Sequence, residues 1–231
     1  MSWKKIEYTG WGRVLRAEGE VARPERESSL AVLAKESSAP AIGRKRSYGD
    51  ACLNSGGRAI DMTRLDRVLS FDEETGIAEV EAGLEIGQLL KTFAPRGWLP
   101  PVMPGTGFAT VGGGIAMDVH GKNHHGAGTF GSHIESIALM TPEGPRPLTP
   151  ASDEALFKAT VGGIGQTGPI LSAAIRLVKA KGDVIVVTER RVDGWDKFLA
   201  LLDASDATYS VGWIDATSAG TSLGRGILEE A

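Results

Sequence analysis

Three of the four histidines in this 231-residue chain lie within the stretch TVGGGIAMDVHGKNHHGAG, residues 110–128. Ring nitrogens bind metal ions, and His120 and His124 are four residues apart, a spacing that would place both on one face of a helix. Gly121 lies between them and further glycines flank the pair, so a helix rigid enough to present both rings is not expected. No cysteine or acidic residue at ligand spacing completes a set, and we predict no metal site.

The same region could instead wrap a phosphate group. The segment PGTGFATVGGGI, residues 104–115, combines five glycines with Thr106 and Thr110. It therefore offers many backbone N–H groups that no side chain shields, and such arrays bind anions without any lysine. An ordinary glycine-rich turn would show the same composition, so this segment alone leaves the question open.

Two other loops have a similar character. RKRSYGDACLN, residues 44–54, is polar and contains glycine, and it follows a short predicted strand; a third loop closes the segment LTPASDEALFKATVGGIGQTG, residues 148–168. Within the third loop, residues 163–168 fit the pattern G-x-G-x-x-G, but a helix precedes them and a strand follows. A nicotinamide-binding Rossmann site needs the opposite order. Three loops on one scaffold therefore favour a different long ligand, with residues 163–168 as a tight turn against a flat group.

The elements that must position these loops alternate between short strands and amphipathic helices, which indicates a mixed fold of helices and strands. We predict a helix from Ser29 to about Ser37, a strand at Ile42, another at Ile60–Met62, a hairpin of 68–71 with 77–82, a helix from Ile86 towards Gly97, a hairpin within 136–148, a helix capped by Ser152 and ending at Gly162, a strand over 170–178, and a further strand in VIVVT, 184–188.

Composition narrows the class of protein. The formal net charge is −4, which argues against a nucleic-acid partner, and the single cysteine, Cys52, cannot form an internal disulfide. The first twenty residues lack the apolar core of a secretory signal, and no window has the roughly 18 apolar residues of a membrane span. A cytoplasmic setting is the default expectation, and peripheral contact with a membrane stays open.

Four segments together carry a resemblance to a known family. In this order along the chain, they resemble the FAD-linked oxidases of the vanillyl-alcohol oxidase superfamily. The segments are RSYGD at 46–50, IDMTRLDRVLSFDEETGIAEVEAG at 60–83, PGTGFATVGGGIAMDVHGKNHHGAGTFGSHIESIALMTPEG at 104–144 and ALFKATVGGIGQTG at 155–168. DVHGKNHH with RSYGD is most similar to the branch that oxidises polyprenyl-phosphoryl ribose. The resemblance implies an α+β, PCMH-type FAD-binding domain of two α+β subdomains over residues 1–180. Residues 181–231 would begin a substrate domain that the chain does not complete.

The resemblance also implies which residues meet FAD. The cofactor-binding set comprises Ala41, Ile42, Gly43, Arg44, Lys45, Arg46, Ser47, Tyr48, Gly49, Asp50, Ala51, Gly105, Thr110, Val111, Gly112, Gly113, Met117, Asp118, Val119, His120 and Ile170. His120, Lys122 and Tyr48 would face or flank the flavin and the substrate pocket as the catalytic set. Relatives with covalent FAD have histidine where this chain has Tyr48, so noncovalent FAD is implied. Many relatives have glycine where this chain has Lys45, so the first loop is expected to sit differently or to depend on Gly43.

The implied activity is oxidation of a secondary alcohol of a sugar, the 2'-hydroxyl of a polyprenyl-phosphoryl ribose, by hydride transfer to flavin N5. A short-chain reductase partner could complete an epimerisation. Two alternatives remain open at this point: a sugar-alcohol or aldonolactone oxidase or hydroxy-acid dehydrogenase of the same superfamily, and a noncatalytic FAD-binding module or fragment.

Overall fold

The computed structural model describes residues 2–231, which form four sheets with six α-helices and short 3-10 turns. The strands are β1 (Lys4–Thr9), β2 (Arg16–Ala22), β3 (Ala41–Ile42), β4 (Arg58–Asp61), β5 (Val68–Asp72), β6 (Ile77–Glu81), β7 (Trp98–Leu99), β8 (Ile134–Thr141), β9 (Gly144–Leu148), β10 (Ile170–Arg176), β11 (Val178–Lys179), β12 (Thr188–Val192), β13 (Ser210–Ile214) and β14 (Gly226–Glu230). The helices are α1 (Glu27–Glu36), α2 (Ile86–Phe93), α3 (Val111–Ala116), α4 (His124–Ala127), α5 (Glu154–Thr160) and α6 (Trp195–Asp203).

The first α+β unit is a four-stranded sheet in the order β1-β2-β4-β3, with α1 packed beside it. β1 and β2 are antiparallel, whereas β4 runs parallel to both β2 and β3. Leu30 and Leu33 lie three residues apart on one face of α1, and both are fully buried with Ile60 of β4. This parallel arrangement brings the end of β3, and the loop after it, to the boundary with the second unit.

The second α+β unit is a five-stranded antiparallel sheet in the order β5-β6-β10-β8-β9. α2 and α3 contribute to its core, which includes Ile86, Leu89 and Phe93 from α2 and Ile115 from α3. The predicted hairpins pair as expected, β5 with β6 and β8 with β9. The two units are the two α+β subdomains of the predicted PCMH-type fold.

Residues after β11 form a separate three-stranded sheet, β12-β14-β13, whose core combines Val192, Leu228 and Phe198 of α6. The division of the chain near Lys181 stays a prediction. This sheet contacts the preceding unit through the DVHGKNHH segment: the amide of Ser210 donates to the Lys122 carbonyl at 2.9 Å, and a ring nitrogen of His125 lies 3.0 Å from the Ala207 carbonyl oxygen.

Three local predictions need correction. The glycine run that we expected to be a loop begins α3, because Thr110 caps it and the β6–α2 turn accepts two of its amides. The cap of α5 is Asp153 instead of Ser152; the Asp153 carboxylate accepts from the Leu156 amide, while the Ser152 hydroxyl accepts from the Thr149 amide. The strand predicted at 184–188 begins only at Thr188, and Val184–Val187 are exposed.

Candidate cofactor site

A cavity lies between the two subdomains. Residues from both sides form it: Ala41, Ile42 and Gly43 at the end of β3, Met62 after β4, Ala82 after β6, Thr110, Gly112, Gly113 and Ala116 of α3 and its cap, Gly165 and Gly168 of the second glycine turn, and Ile170 of β10. Eight of these twelve residues are glycine or alanine, so the walls consist largely of backbone. A long, partly flat ligand could therefore lie close to the main chain on several sides.

Small side chains are required here for packing as well as for the cavity. A Cβ on Gly43 would lie 2.4 Å from the Thr110 hydroxyl, and one on Gly112 would lie 2.9 Å from the Ala82 Cβ. Gly165 has a φ of +75° and no atom within 4 Å of an added Cβ. Gly43 and Gly112 thus let β3, α3 and the β6 end approach one another, while Gly165 borders open space.

The amides of α3 are already used inside the protein. Val111 donates to the Leu84 carbonyl and Gly112 to the Ala82 carbonyl, both at 2.8 Å, and the Gly113 amide donates to the Thr110 hydroxyl at 3.2 Å. Because these first-turn N–H groups have partners, they are not free for a phosphate. Gly112 and Gly113 line the cavity and permit close packing of its walls.

Free backbone donors lie instead in the loop after β3, residues 43–51, which we call the amide loop. Within residues 2–231, none of its N–H groups donates a hydrogen bond to a protein acceptor. Lys45 and Gly49 have φ values of +54° and +60°. An anion-binding nest needs a left-handed residue beside a right-handed one, and Lys45 and Gly49 supply left-handed positions in this loop. The loop also carries three cations in a row, so its chemistry fits a pyrophosphate.

Most of the predicted cofactor residues fall into three groups, and Gly105 and Val111 stand apart. Those lining the cavity are Ala41, Ile42, Gly43, Thr110, Gly112, Gly113 and Ile170, and those continuing along the amide loop are Arg44, Lys45, Arg46, Ser47, Tyr48, Gly49, Asp50 and Ala51. Gly105 lies exposed at the loop before Thr110. The third group, Met117, Asp118, Val119 and His120, follows α3 and does not line the cavity; Val111 is fully buried in the core.

Two of these side chains are occupied by structural contacts. The Val111 side chain is inaccessible, so only its backbone could approach a ligand. The Asp118 carboxylate accepts from the Gly131 amide at 2.9 Å, and Asp118 itself has a φ of +42°. Asp118 thus holds the turn that redirects the chain from α3 towards His120.

The predicted catalytic residues lie on exposed loops. The His120 ring centroid lies 5.3 Å from that of His124, and the Lys122 ammonium lies 6.0 Å from the centre of the Trp213 ring. Tyr48 is 77% exposed and packs edge-on against Trp11 at 5.2 Å. Cys52 follows the amide loop, and partial burial raises the pKa of its thiol.

The rings of His124 and His125 contact backbone carbonyl groups. A ring nitrogen of His124 lies 3.2 Å from the Gly128 carbonyl, and His125 contacts Ala207 as described above. Among residues 2–231, no group of three or more histidine, cysteine, aspartate or glutamate side chains is arranged to hold a metal ion. In the same part of the chain, no helix is both long and apolar enough to cross a membrane.

Sequence reasoning did not include Met62, Ala82 and Ala116 among the cavity residues. Single alanines and methionines are common in every core, so only their position next to β3 and α3 marks them. Gly165 and Gly168 belong to the second glycine turn, which is visible in the sequence, and both line the cavity. Trp11, the partner of Tyr48, was missed because the β1–β2 hairpin has no motif.

A backbone-walled cavity between two α+β subdomains, with a loop of free amides at its edge, defines a protein that binds a dinucleotide cofactor outside a Rossmann fold. Residues 21–146 match the family described as FAD binding domain, and the chain belongs to that family. The residues present fit FAD, because the small-residue walls admit a flat or extended group and the amide loop offers donors for a pyrophosphate.

The relatives are oxidoreductases by name. The chain is 43% identical over 213 residues to the decaprenylphosphoryl-beta-D-ribose oxidase of Mycolicibacterium smegmatis, covering 90% of this chain and 45% of that protein. It is 26% identical to the D-lactate dehydrogenase of Anaerostipes hadrus, covering 63% of this chain and 32% of that one. The chain therefore spans less than half the length of these relatives.

The fold is also that of a solved alkyldihydroxyacetonephosphate synthase. The two superpose with a TM-score of 0.73 at 18% identity, over 83% of this chain and 38% of the synthase. At this identity the likeness establishes the PCMH-type fold.

Proposed function

We propose that the chain is the FAD-binding part of an oxidoreductase that oxidises a secondary alcohol of a sugar, the 2'-hydroxyl of a polyprenyl-phosphoryl ribose. The observation that carries the proposal is the cavity between the subdomains, with walls of glycine and alanine and the amide loop at its edge. The 43% identity to an oxidase of decaprenylphosphoryl ribose supports the substrate class. FAD, when bound, supplies an acceptor for hydride at N5 of the flavin.

The chain's own residues would bind and orient. We assign the pyrophosphate to the amides of residues 43–51, since these have no protein acceptor, and the ribityl side to the backbone of Gly112 and Gly113. Tyr48 replaces the histidine that a covalent link would require, so binding is noncovalent. Acid precipitation should therefore leave a colourless pellet and a yellow supernatant; colour retained in the pellet would contradict noncovalent binding.

His120 and Lys122 would act on the substrate. A ring nitrogen of His120 is suited to orient the sugar hydroxyl or to accept its proton, because the ring is exposed and no hydrogen bond of the described chain engages it. The Lys122 ammonium is exposed, and it could bind the substrate phosphate or offset negative charge near the flavin. A reductase that acts on the keto product and a peripheral membrane contact that admits the lipid remain predictions of the same proposal.

The first test is binding. Protein stripped of flavin and titrated with FAD should quench the flavin fluorescence and restore an oxidised flavin spectrum. Failure to bind FAD would refute the proposal at its base.

The second test is reduction. FAD-loaded protein mixed anaerobically with a polyprenyl-phosphoryl ribose should lose its flavin absorbance, and His120→Ala should slow this step by about 100-fold if His120 takes the proton. His125→Ala is the matched control, since a ring nitrogen of His125 contacts the Ala207 carbonyl. Bleaching by D-lactate in place of the ribose lipid would favour a hydroxy-acid dehydrogenase, in line with the second relative.

A further inference from the structure

The amide loop carries the cations Arg44, Lys45 and Arg46 in succession, and the simplest interpretation is that they bind the cofactor phosphates. Their side chains, however, contact other protein groups. The Arg44 Nε lies 2.6 Å from the Glu85 Oε1, the Lys45 Nζ lies 4.0 Å from the Asp61 Oδ2, and the Arg46 guanidinium lies 5.2 Å from the centre of the Phe108 ring. Each cation thus contacts a different part of the protein.

The three contacts lie on elements that frame the cavity. Glu85 directly precedes α2 and forms an isolated bridge with Thr110, the cap of α3. Asp61 is the last residue of β4 and is followed by Met62 in the cavity wall, while Phe108 lies two residues before Thr110. The loop is therefore attached to both subdomains through its side chains.

The Arg44–Glu85 pair is the strongest of the three contacts. The Glu85 side chain is only 15% exposed, so its carboxylate is largely removed from water and would be left unpaired without Arg44. The 2.6 Å separation also makes a charge-assisted hydrogen bond. A guanidinium engaged in this way has its charge compensated before any phosphate arrives.

Lys45 adds a second constraint on the same loop. Its φ of +54° lies in the left-handed region, which a residue with a Cβ adopts only under strain. Asp61, 13% exposed, is the carboxylate near its ammonium. The backbone turn at Lys45 is thus held against its own preference by the surroundings of the loop.

We propose that Glu85, acting through Arg44, is a positioning residue that fixes the amide loop in the shape that binds the FAD pyrophosphate, and that the phosphates are bound by backbone amides and not by the Arg44 guanidinium. This rests on the proposed FAD-binding function. It assigns to an acidic residue, which would repel a phosphate, a favourable contribution to binding.

The direction in which Glu85→Gln changes the affinity for FAD separates the two interpretations. If Glu85 positions the loop, Glu85→Gln should weaken FAD binding about tenfold, and Arg44→Gln should weaken it by a similar factor. The double variant should be no weaker than either single variant, because both break one pair. If Arg44 instead binds phosphate directly, Glu85→Gln should tighten binding by releasing the guanidinium, and Arg44→Gln alone should weaken it.

The charge-swapped variant, Arg44→Glu with Glu85→Arg, provides a second discriminating measurement. Recovery of affinity to within about threefold of the wild type supports positioning, whereas a further loss overturns it. Glu25→Gln is the matched control, since Glu25 pairs with Arg64 at 3.0 Å on the surface, and it should leave affinity unchanged.

Lys45→Gly tests the loop geometry separately. Glycine adopts the left-handed conformation without strain, so Lys45→Gly should lose less affinity than Lys45→Val, which should lose about tenfold or more. Far-UV circular dichroism identifies any variant that fails to fold. The FAD affinities of the folded variants then decide whether Glu85 positions the loop. If the wild-type protein binds no FAD, the proposed function fails first; if it binds FAD and Glu85→Gln tightens binding, only the positioning role fails.

Discussion

The contact between Gly43 and Thr110 joins the two subdomains at the cavity, and its energy can be isolated by mutation. An added Cβ at Gly43 would lie 2.4 Å from the Thr110 Oγ1, the atom that caps α3 by accepting from the Gly113 amide. The Thr110 side chain must then rotate away, which sacrifices the cap. We expect Gly43→Ala to cost about 2 kcal/mol from the cap and the overpacking together.

Removing the hydroxyl first should change that cost. Thr110→Ala loses the cap, at about 1 kcal/mol, but leaves only the Thr110 Cβ near the new methyl group, 3.3 Å away. The double variant should therefore be destabilised by about 1 kcal/mol, well below the 3 kcal/mol expected for independent changes.

The measurement is urea denaturation of the flavin-free protein, with the free energy of unfolding compared at constant m-value. Gly105→Ala is the control, because no atom lies within 4 Å of a Cβ there and the change should stay within about 0.5 kcal/mol. Additive effects of Gly43→Ala and Thr110→Ala would show that the two residues do not compete for the same space, and the reasoning would fail.

Two further predictions concern turns. Asp118→Ala should cost about 2 kcal/mol, because the Gly131 amide loses its acceptor and alanine disfavours a φ of +42°, whereas Asp118→Asn should cost less than half as much; equal losses in denaturation would contradict this. Hydrogen bonds from Thr217 and Arg225 hold the pKa of Asp215 well below its usual range. That stabilisation is present above the unfolded-state pKa of about 3.9 and is lost as pH falls through the lower folded-state value. The difference in free energy of unfolding between wild type and Asp215→Asn should therefore become smaller below about pH 4. A difference independent of pH would contradict a lowered pKa of Asp215.

Much of the fold could be predicted from the sequence, because local patterns and tertiary packing agree there. Ile86, Leu89 and Phe93 follow helical spacing and are all buried in α2, and the Asp72–Gly76 turn closes its hairpin as expected. The prediction failed where tertiary contacts override local preference. A run of three glycines is a poor helix former, and α3 exists because Thr110 caps it and the carbonyls of Ala82 and Leu84 accept its first amides.

The sequence predicted part of the site, where the residue types themselves mark the cavity. Gly43, Gly112 and Gly113 carry a visible signal, and they line the cavity. Which amides are free cannot be inferred from the sequence, because that depends on where carbonyls of distant segments lie. The resemblance implied cofactor contacts both in the loop after β3 and in the glycine run, and the structure leaves the amides of residues 43–51 without protein acceptors.

The exposed segment Val184–Val187 has a consequence for handling the protein. Four consecutive β-branched residues without charge or proline are prone to pair with the same segment of another chain. Lys181 and Asp183 precede the segment, and Glu189 and Arg190 follow it in β12. Charges at the flanks of such a segment oppose aggregation. The solubility of the chain should therefore depend on these flanking charges more than on its net charge, and high salt, which screens them, should promote aggregation.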